Sequence, residues 1–256
     1  MCISVFSFGQ STQFPFVLIS NRDEFLSRES QSAKFHGKDN SVLSGLDLEK
    51  GGTWLGITKY GKFGLITNYR NPSLLKDQVR SRGELVLNYL NSNLDPSTYC
   101  SQIEKNIDSY NGFNLILGDL KDQSVCYVSN VLMEIKRIDP GLYGVSNAFL
   151  DTPWPKVQSL KDQFNTLLLN ESMELNELEA LLLNTHTYPL EILPNTGVKP
   201  ELEQALSSVF ISLPTYGTVC SSIIQMDSHG LVTFRELIHN HDNSTFVRNQ
   251  FQFRIQ

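Results

Sequence analysis

Cys2 directly follows the initiator methionine. Cysteine is small enough for that methionine to be trimmed, which would leave a thiol and a free α-amino group on one residue. An α-amino group titrates near pH ~8, close enough to neutrality to take the thiol proton without a histidine. Base and nucleophile then share a residue, so bringing them together costs almost no ordering entropy. A plain strand residue is the other reading of the same cysteine, and residue type alone favours it. The chemistry needs three more parts: a cation or donors near sulfur, an acceptor for the amine, and an oxyanion hole.

The stretch SNRDEF supplies the first two types. It holds Arg22 and Asp23 directly after a second apolar run. If the first two strands pair as a hairpin, the end of the second lies near the start of the first. Arg22 and Asp23 then come within reach of Cys2. A guanidinium there favours thiolate or grips a carboxylate, and an aspartate holds an amine. An exposed charged turn is the bland alternative. Asn68, in GLITNYRNP, and Asn147, in YGVSNAF, each end an apolar strand, where a side-chain amide can donate to an oxyanion. Both also suit ordinary turns.

The elements that would position these residues follow from periodicity. Cys2 to Phe8 alternates, with Cys2, Ser4, Phe6 and Phe8 on one face. Phe16 to Ser20 suits a central strand. Strands are expected near Thr53–Thr58 and Phe63–Asn68 around a turn at Tyr60-Gly61. A helix covers Gly83 to Leu90, and Asp95-Pro96 starts another whose buried face carries Tyr99, Ile103 and Ile107. Strands return at Asn114–Gly118, Val125–Asn130 and Gly144–Ser146. Thr152-Pro153 caps a helix with the stripe Val157, Leu160, Phe164, Leu167 and Leu168, and a further helix carries Leu175 to Leu182. Thr187 to Gly197 is the most loop-like stretch, a lid or a plain connection, with loop statistics favouring the connection. Strands close the chain at Thr218–Met226, Leu231–Glu236 and Phe246–Phe253. This order fits two antiparallel sheets packed face to face with helices outside, as one domain over residues 1–256.

The 256 residues are 40% hydrophobic and 19% charged, an ordinary globular balance. Net charge is −6 with dispersed basic residues, which argues against nucleic-acid grooves and polybasic membrane patches. No apolar run is long enough to cross a bilayer, and the start lacks the basic n-region of a signal peptide, so a cytoplasmic protein is expected. Cys2, Cys100, Cys126 and Cys220 form no C-x-x-C pair, so they read as free thiols, three of them core residues. Cys2 is expected to alkylate faster than Cys100 or Cys126. His239-x-His241 lacks a third ligand nearby and reads as a surface tail, so no metal is expected. Gly51-Gly52 and Gly61 fit no nucleotide-binding pattern.

MCI, SNRDEF, GGTWLGI with GLITNYR, GVSNAFLDTPWPKV, and YGT before an apolar strand together resemble the NRDE family, which includes the transport and Golgi organization protein 2 group. The match spans nearly the whole chain. That family is similar to cysteine N-terminal-nucleophile hydrolases such as penicillin V acylase and bile salt hydrolase. The resemblance implies an α+β, four-layer αββα sandwich and cleavage of a linear amide, with no cofactor required. It assigns Cys2 as nucleophile, Arg22 as the arginine after the second strand, and Asn68 and Asn147 as the oxyanion and substrate asparagines. Two departures stand out. Asp23 adjoins Arg22, where the hydrolases space the pair by two residues. Val219 and Cys220 follow YGT, where many members carry arginine, so an anion-binding role there is vacant or passes to Arg235 or Arg248. The family has also been linked with intracellular haem and lipid handling. A carrier of haem or an acyl chain on the same fold is therefore the alternative to an enzyme acting on a small-molecule amide.

Overall fold

A computed structural model describes residues 2–256. The retention or loss of Met1 lies outside the described residues. The described residues divide into two compact units, the first formed by residues 2–27, 70–73 and 140–252, the second by the remainder.

In the first unit β1 (Cys2–Phe8) pairs antiparallel with β2 (Phe16–Phe25) and β10 (Gly141–Val145). Beyond β2 the sheet continues through β11 (Tyr216–Met226), β12 (Leu231–Asn240) and β13 (Thr245–Arg254), giving the order β10-β1-β2-β11-β12-β13. The register splits β1 as its alternation requires. Ile3 and Val5 join Val17, Ile19 and Ile223 in a core with Val157, Leu160 and Phe164 of α3 (Pro155–Leu169), and with Leu178 and Leu182 of α4 (Leu175–Leu182). Cys2, Ser4 and Phe6 therefore lie on the opposite face, away from these helices.

Two expectations need correction here. SNRDEF does not follow the second strand but continues it: β2 runs to Phe25 because β11 pairs with it as far as Tyr216, and that ladder overrides the polar pattern. The helix expected from Thr152-Pro153 starts at Pro155, with Trp154 at the N-cap. Trp154 precedes a proline and is held extended (ψ 141°), so helix cannot begin before Pro155. The loop from Thr187 to Gly197 contains only a short 3₁₀ turn at Leu190–Ile192, and α5 (Pro200–Ala205) follows it.

The second unit holds a seven-stranded antiparallel meander. Its strands are β3 (Ser30–His36), β4 (Val42–Asp47), β5 (Leu55–Thr58), β6 (Lys62–Asn68), β7 (Phe113–Asp119), β8 (Ser124–Ser129) and β9 (Glu134–Ile138), in chain order. Two helices, α1 (Gly83–Asn91) and α2 (Pro96–Glu104), cover one face through Leu85, Val86, Tyr89, Tyr99 and Ile103. Asp95 caps α2, accepting from the Thr98 N–H at 3.0 Å. Ile107, expected on that helix, is buried instead in a 3₁₀ turn beyond it.

Candidate active site

The β1–β2 register sets Cys2 directly opposite Arg22, and the β2–β11 register sets Arg22 opposite Cys220. Directly opposed residues project to the same side of a sheet, so Cys2, Arg22 and Cys220 form one row. In the next row lie Ser4, Ser20, Ser222 and Glu236. Ser4 and Ser20 share a hydrogen bond at 2.7 Å. All of these side chains are buried; Cys2 is 8% exposed.

Asp23 is placed by an irregularity. Between Thr218 and Cys220 the β11 register slips, so that Thr218 opposes Asp23 while Cys220 opposes Arg22. The extra residue, Val219, is what brings the Thr218 hydroxyl onto Asp23. That hydroxyl donates to Asp23 Oδ1 at 2.7 Å and accepts from the Ile211 N–H at 2.9 Å. The Tyr216 hydroxyl donates to the Asp23 carbonyl at 3.0 Å. The Asp23 backbone N–H donates to the Cys2 sulfur.

Burial governs the titration of this group. It raises the Cys2 thiol above its ordinary value, with the Asp23 carboxylate adding to the effect and Arg22 opposing it. It also raises the Asp23 carboxyl, against which Lys156 and the Thr218 hydrogen bond act. Lys156 was not anticipated. Its side chain is buried, its Nζ donates to the Leu206 carbonyl at 2.8 Å, and burial lowers its pKa to about 8 while Asp23 supports the charged form. It occupies the first turn of α3, where the helix dipole disfavours a cation, so a nearby carboxylate is what makes the position tenable. The signal was present: Lys156, Leu160 and Phe164 stand four apart on the stripe already read as buried.

Beside Lys156 lies a small pocket lined by Arg70, Trp154, Leu193, Pro194 and Glu203. Arg70 and Glu203 form an ion pair with both side chains under a tenth exposed, and the Arg70 guanidinium stacks 4.8 Å from the Trp154 ring. Glu203 also accepts from the Thr196 hydroxyl at 2.6 Å. Neither partner carried a periodic signal; the fold alone assembles them.

Asn147 is buried just after β10, and its carbonyl accepts from the Arg70 N–H at 2.8 Å. Its neighbour Ser146 donates to the Cys2 carbonyl at 2.9 Å. Arg22, Asp23 and Asn147 thus share the first unit with Cys2. Asn68 closes β6 in the second unit, half-buried and in register with Phe113. Arg235 and Arg248, considered as anion binders, both hold Glu179 of α4 at 2.7 Å. His239 and His241 are not a surface tail: His239 Nε2 lies 2.8 Å from Ser221 Oγ, His241 Nε2 lies 2.8 Å from the Thr218 carbonyl, and both rings pack on Phe210. No cluster of metal-binding side chains occurs among the described residues.

The fold is that of an N-terminal-nucleophile hydrolase-like α+β protein. A mutant form of the conjugated bile acid hydrolase of Clostridium perfringens superposes with a TM-score of 0.52 over 100% of this chain and 97% of that one, at 8% identity. The profile of the Transport and Golgi organisation 2 family matches residues 1–240, and the chain belongs to that family. The Transport and Golgi organization 2 homolog of Mus musculus and the corresponding protein of Homo sapiens are each 36% identical to it over the full length of both chains. The Transport and Golgi organization protein 2 of Drosophila melanogaster is 27% identical over 98% of this chain and 99% of its own.

Proposed function

We propose that this chain is a thiol amidohydrolase that uses Cys2 after removal of Met1. The α-amino group of Cys2 takes the thiol proton, and Sγ bonds to the carbonyl carbon of a linear amide. The C–N bond breaks, the amine leaves with that proton, and water hydrolyses the thioester. Arg22 favours the thiolate, Asp23 holds the ammonium, and Asn147 serves the oxyanion. Lys156 acts as a positioning residue that keeps Asp23 ionised despite burial.

One observation carries this reading: the strand register that sets Cys2 opposite Arg22, with the Asp23 N–H directed at the sulfur. The resting thiol is raised by burial, so attack depends on an internal base, and a free amine on the same residue is that base.

The test begins with the intact mass of the purified protein, expected to lack methionine. Amine release from a panel of N-acyl amides is then compared between this protein and Cys2→Ala. Turnover that disappears in Cys2→Ala is the expected result. A retained methionine, or turnover that survives Cys2→Ala, rejects the mechanism. The carrier reading, with haem or an acyl chain as cargo, is the outcome in which neither form cleaves amides and both bind the ligand equally.

A further inference from the structure

In the second unit, helix α2 and strand β8 bring two cysteines together, far along the chain from Cys2. Cys100 sits in α2 and Cys126 in β8, both buried in the core that joins the helix to its sheet. Both belong to one packed cluster, and each thiol shifts the other's titration. Two more groups converge on Cys126. The Ser97 hydroxyl, one turn before Cys100, lies 3.6 Å from the Cys126 sulfur. Arg137 of β9 stands directly opposite Cys126 in the β8–β9 register. Ser97 and Arg137 are both exposed, so Cys126 lies beneath side chains that reach solvent.

These neighbours do different things to the two thiols. Interaction with Cys100, the Ser97 hydroxyl beside the sulfur and the positive charge of Arg137 together lower the Cys126 pKa against its burial. Cys100, fully buried beside a partner that carries the charge, is raised. One thiol is thus disposed to ionise, and the other is held against it as a protonated resolving group. A pair of structural core cysteines needs neither the cation nor the extra hydroxyl.

We infer that Cys100 and Cys126 form a reversible dithiol–disulfide couple whose oxidant is a hydroperoxide. The Cys126 thiolate attacks the peroxide oxygen, forming an S–O bond as O–O breaks, and the leaving oxygen takes a proton to depart as water or an alcohol. Cys100 then gives up its proton and attacks the sulfenic sulfur. An S–S bond forms, S–O breaks, and water leaves. The two sulfurs together lose two electrons, and the peroxide gains them. A small, uncharged peroxide suits a thiol under Ser97 better than a charged tripeptide disulfide does.

The experiment needs no variant at first. Reduced wild-type protein is treated with hydrogen peroxide, quenched in acid and mapped as peptides without reduction. A Cys100–Cys126 cross-link, with the loss of two hydrogen masses reversed by dithiothreitol, is expected. Sulfinic acid on Cys126 with Cys100 still free, or both thiols untouched while Cys2 oxidises, overturns the inference. In Cys100→Ser, dimedone is expected to trap a sulfenic acid on Cys126 that wild-type protein does not accumulate. Arg137→Gln, at an exposed position, is expected to slow disulfide formation several-fold at neutral pH; an unchanged rate counts against an activated Cys126.

Discussion

Within the tetrapeptide Asn21-Arg22-Asp23-Glu24, neighbouring side chains have opposite tasks because a strand alternates. Arg22 projects to the face of Cys2, while Asn21 projects toward the helices. There the Asn21 amide donates to the Leu182 carbonyl at 2.8 Å and the Val209 carbonyl at 2.9 Å, and accepts from the Ser221 hydroxyl at 2.6 Å. It ties β2 to the end of α4 and to the segment entering β11. Asn21→Ala leaves two buried carbonyls without those donors, at about 1–3 kcal/mol each when unsatisfied. We expect a loss of about 3 kcal/mol in urea unfolding; a change under about 0.5 kcal/mol would place water or another donor there. Glu203→Gln tests the pocket beside Lys156. It leaves the Arg70 guanidinium buried without its carboxylate, and breaking such a pair costs about 3–5 kcal/mol. Stacking on Trp154 remains, so the lower end is expected, again read by urea unfolding. The candidate residues differed in legibility for the same reason. Cys2, Arg22 and Asp23 lie in short sequence runs that one hairpin brings together. Arg70 and Glu203 are 133 positions apart, and nothing local announces their meeting.

Elements with a buried face on every second or every third to fourth residue were legible to within a few positions: β1, β6, β7, α1, α2 and α4 are where periodicity sets them. Three strands escaped individual reading, β3, β4 and β9, and of these β3 and β9 are the two edges of the seven-stranded sheet. An edge strand needs little apolar patterning, and Lys34, Lys136 and Arg137 blunt these edges against unwanted pairing. The GGTW run illustrates a different limit. Gly52 has φ of +89°, and a Cβ there would lie 2.3 Å from the Gly83 carbonyl carbon and 2.6 Å from the Glu84 nitrogen. The glycine is needed because the first turn of α1 lies against it, with the Thr53 N–H donating to the Gly83 carbonyl at 3.0 Å. Backbone cannot yield as a side chain would. Gly52→Ala is expected to lower stability by about 2–3 kcal/mol, through strain and displacement of α1. Gly51→Ala has a positive φ of 69° but open space, so it should cost clearly less. Equal thermal shifts for the two variants would remove the close approach as the cause.

At the scale of the whole molecule, acid is the condition most informative about how the first unit holds together. His239 titrates at about 4 in the fold instead of the usual 6.5, because burial penalises its charged form and His241 adds repulsion. Its ring belongs to a chain of contacts running from Phe246 and Phe210 through Ser221 to Asn21, so it couples β12 to the interior of β2. Between those two pKa values the unfolded chain binds the proton and the folded chain does not. Stability therefore rises with pH in this window and is lost as pH falls from 6.5 toward 4. The buried Asp23 carboxyl contributes in the opposite sense: its folded pKa is raised, so the cost of burying its charge is relieved as pH falls through that pKa. The two effects are separable because only one is removed by His239→Gln, which keeps a donor for Ser221 and carries no charge. Urea midpoints at pH 7 and pH 5 should converge in that variant relative to wild type, with the pH 5 value rising and the pH 7 value little changed. A wild-type slope between pH 7 and pH 5 that persists unaltered in His239→Gln would remove His239 as its source. The ion-paired Glu179, whose pKa is lowered by Arg248 and Arg235 against its own burial, loses its contribution only at lower pH, below its unfolded value of 4.5.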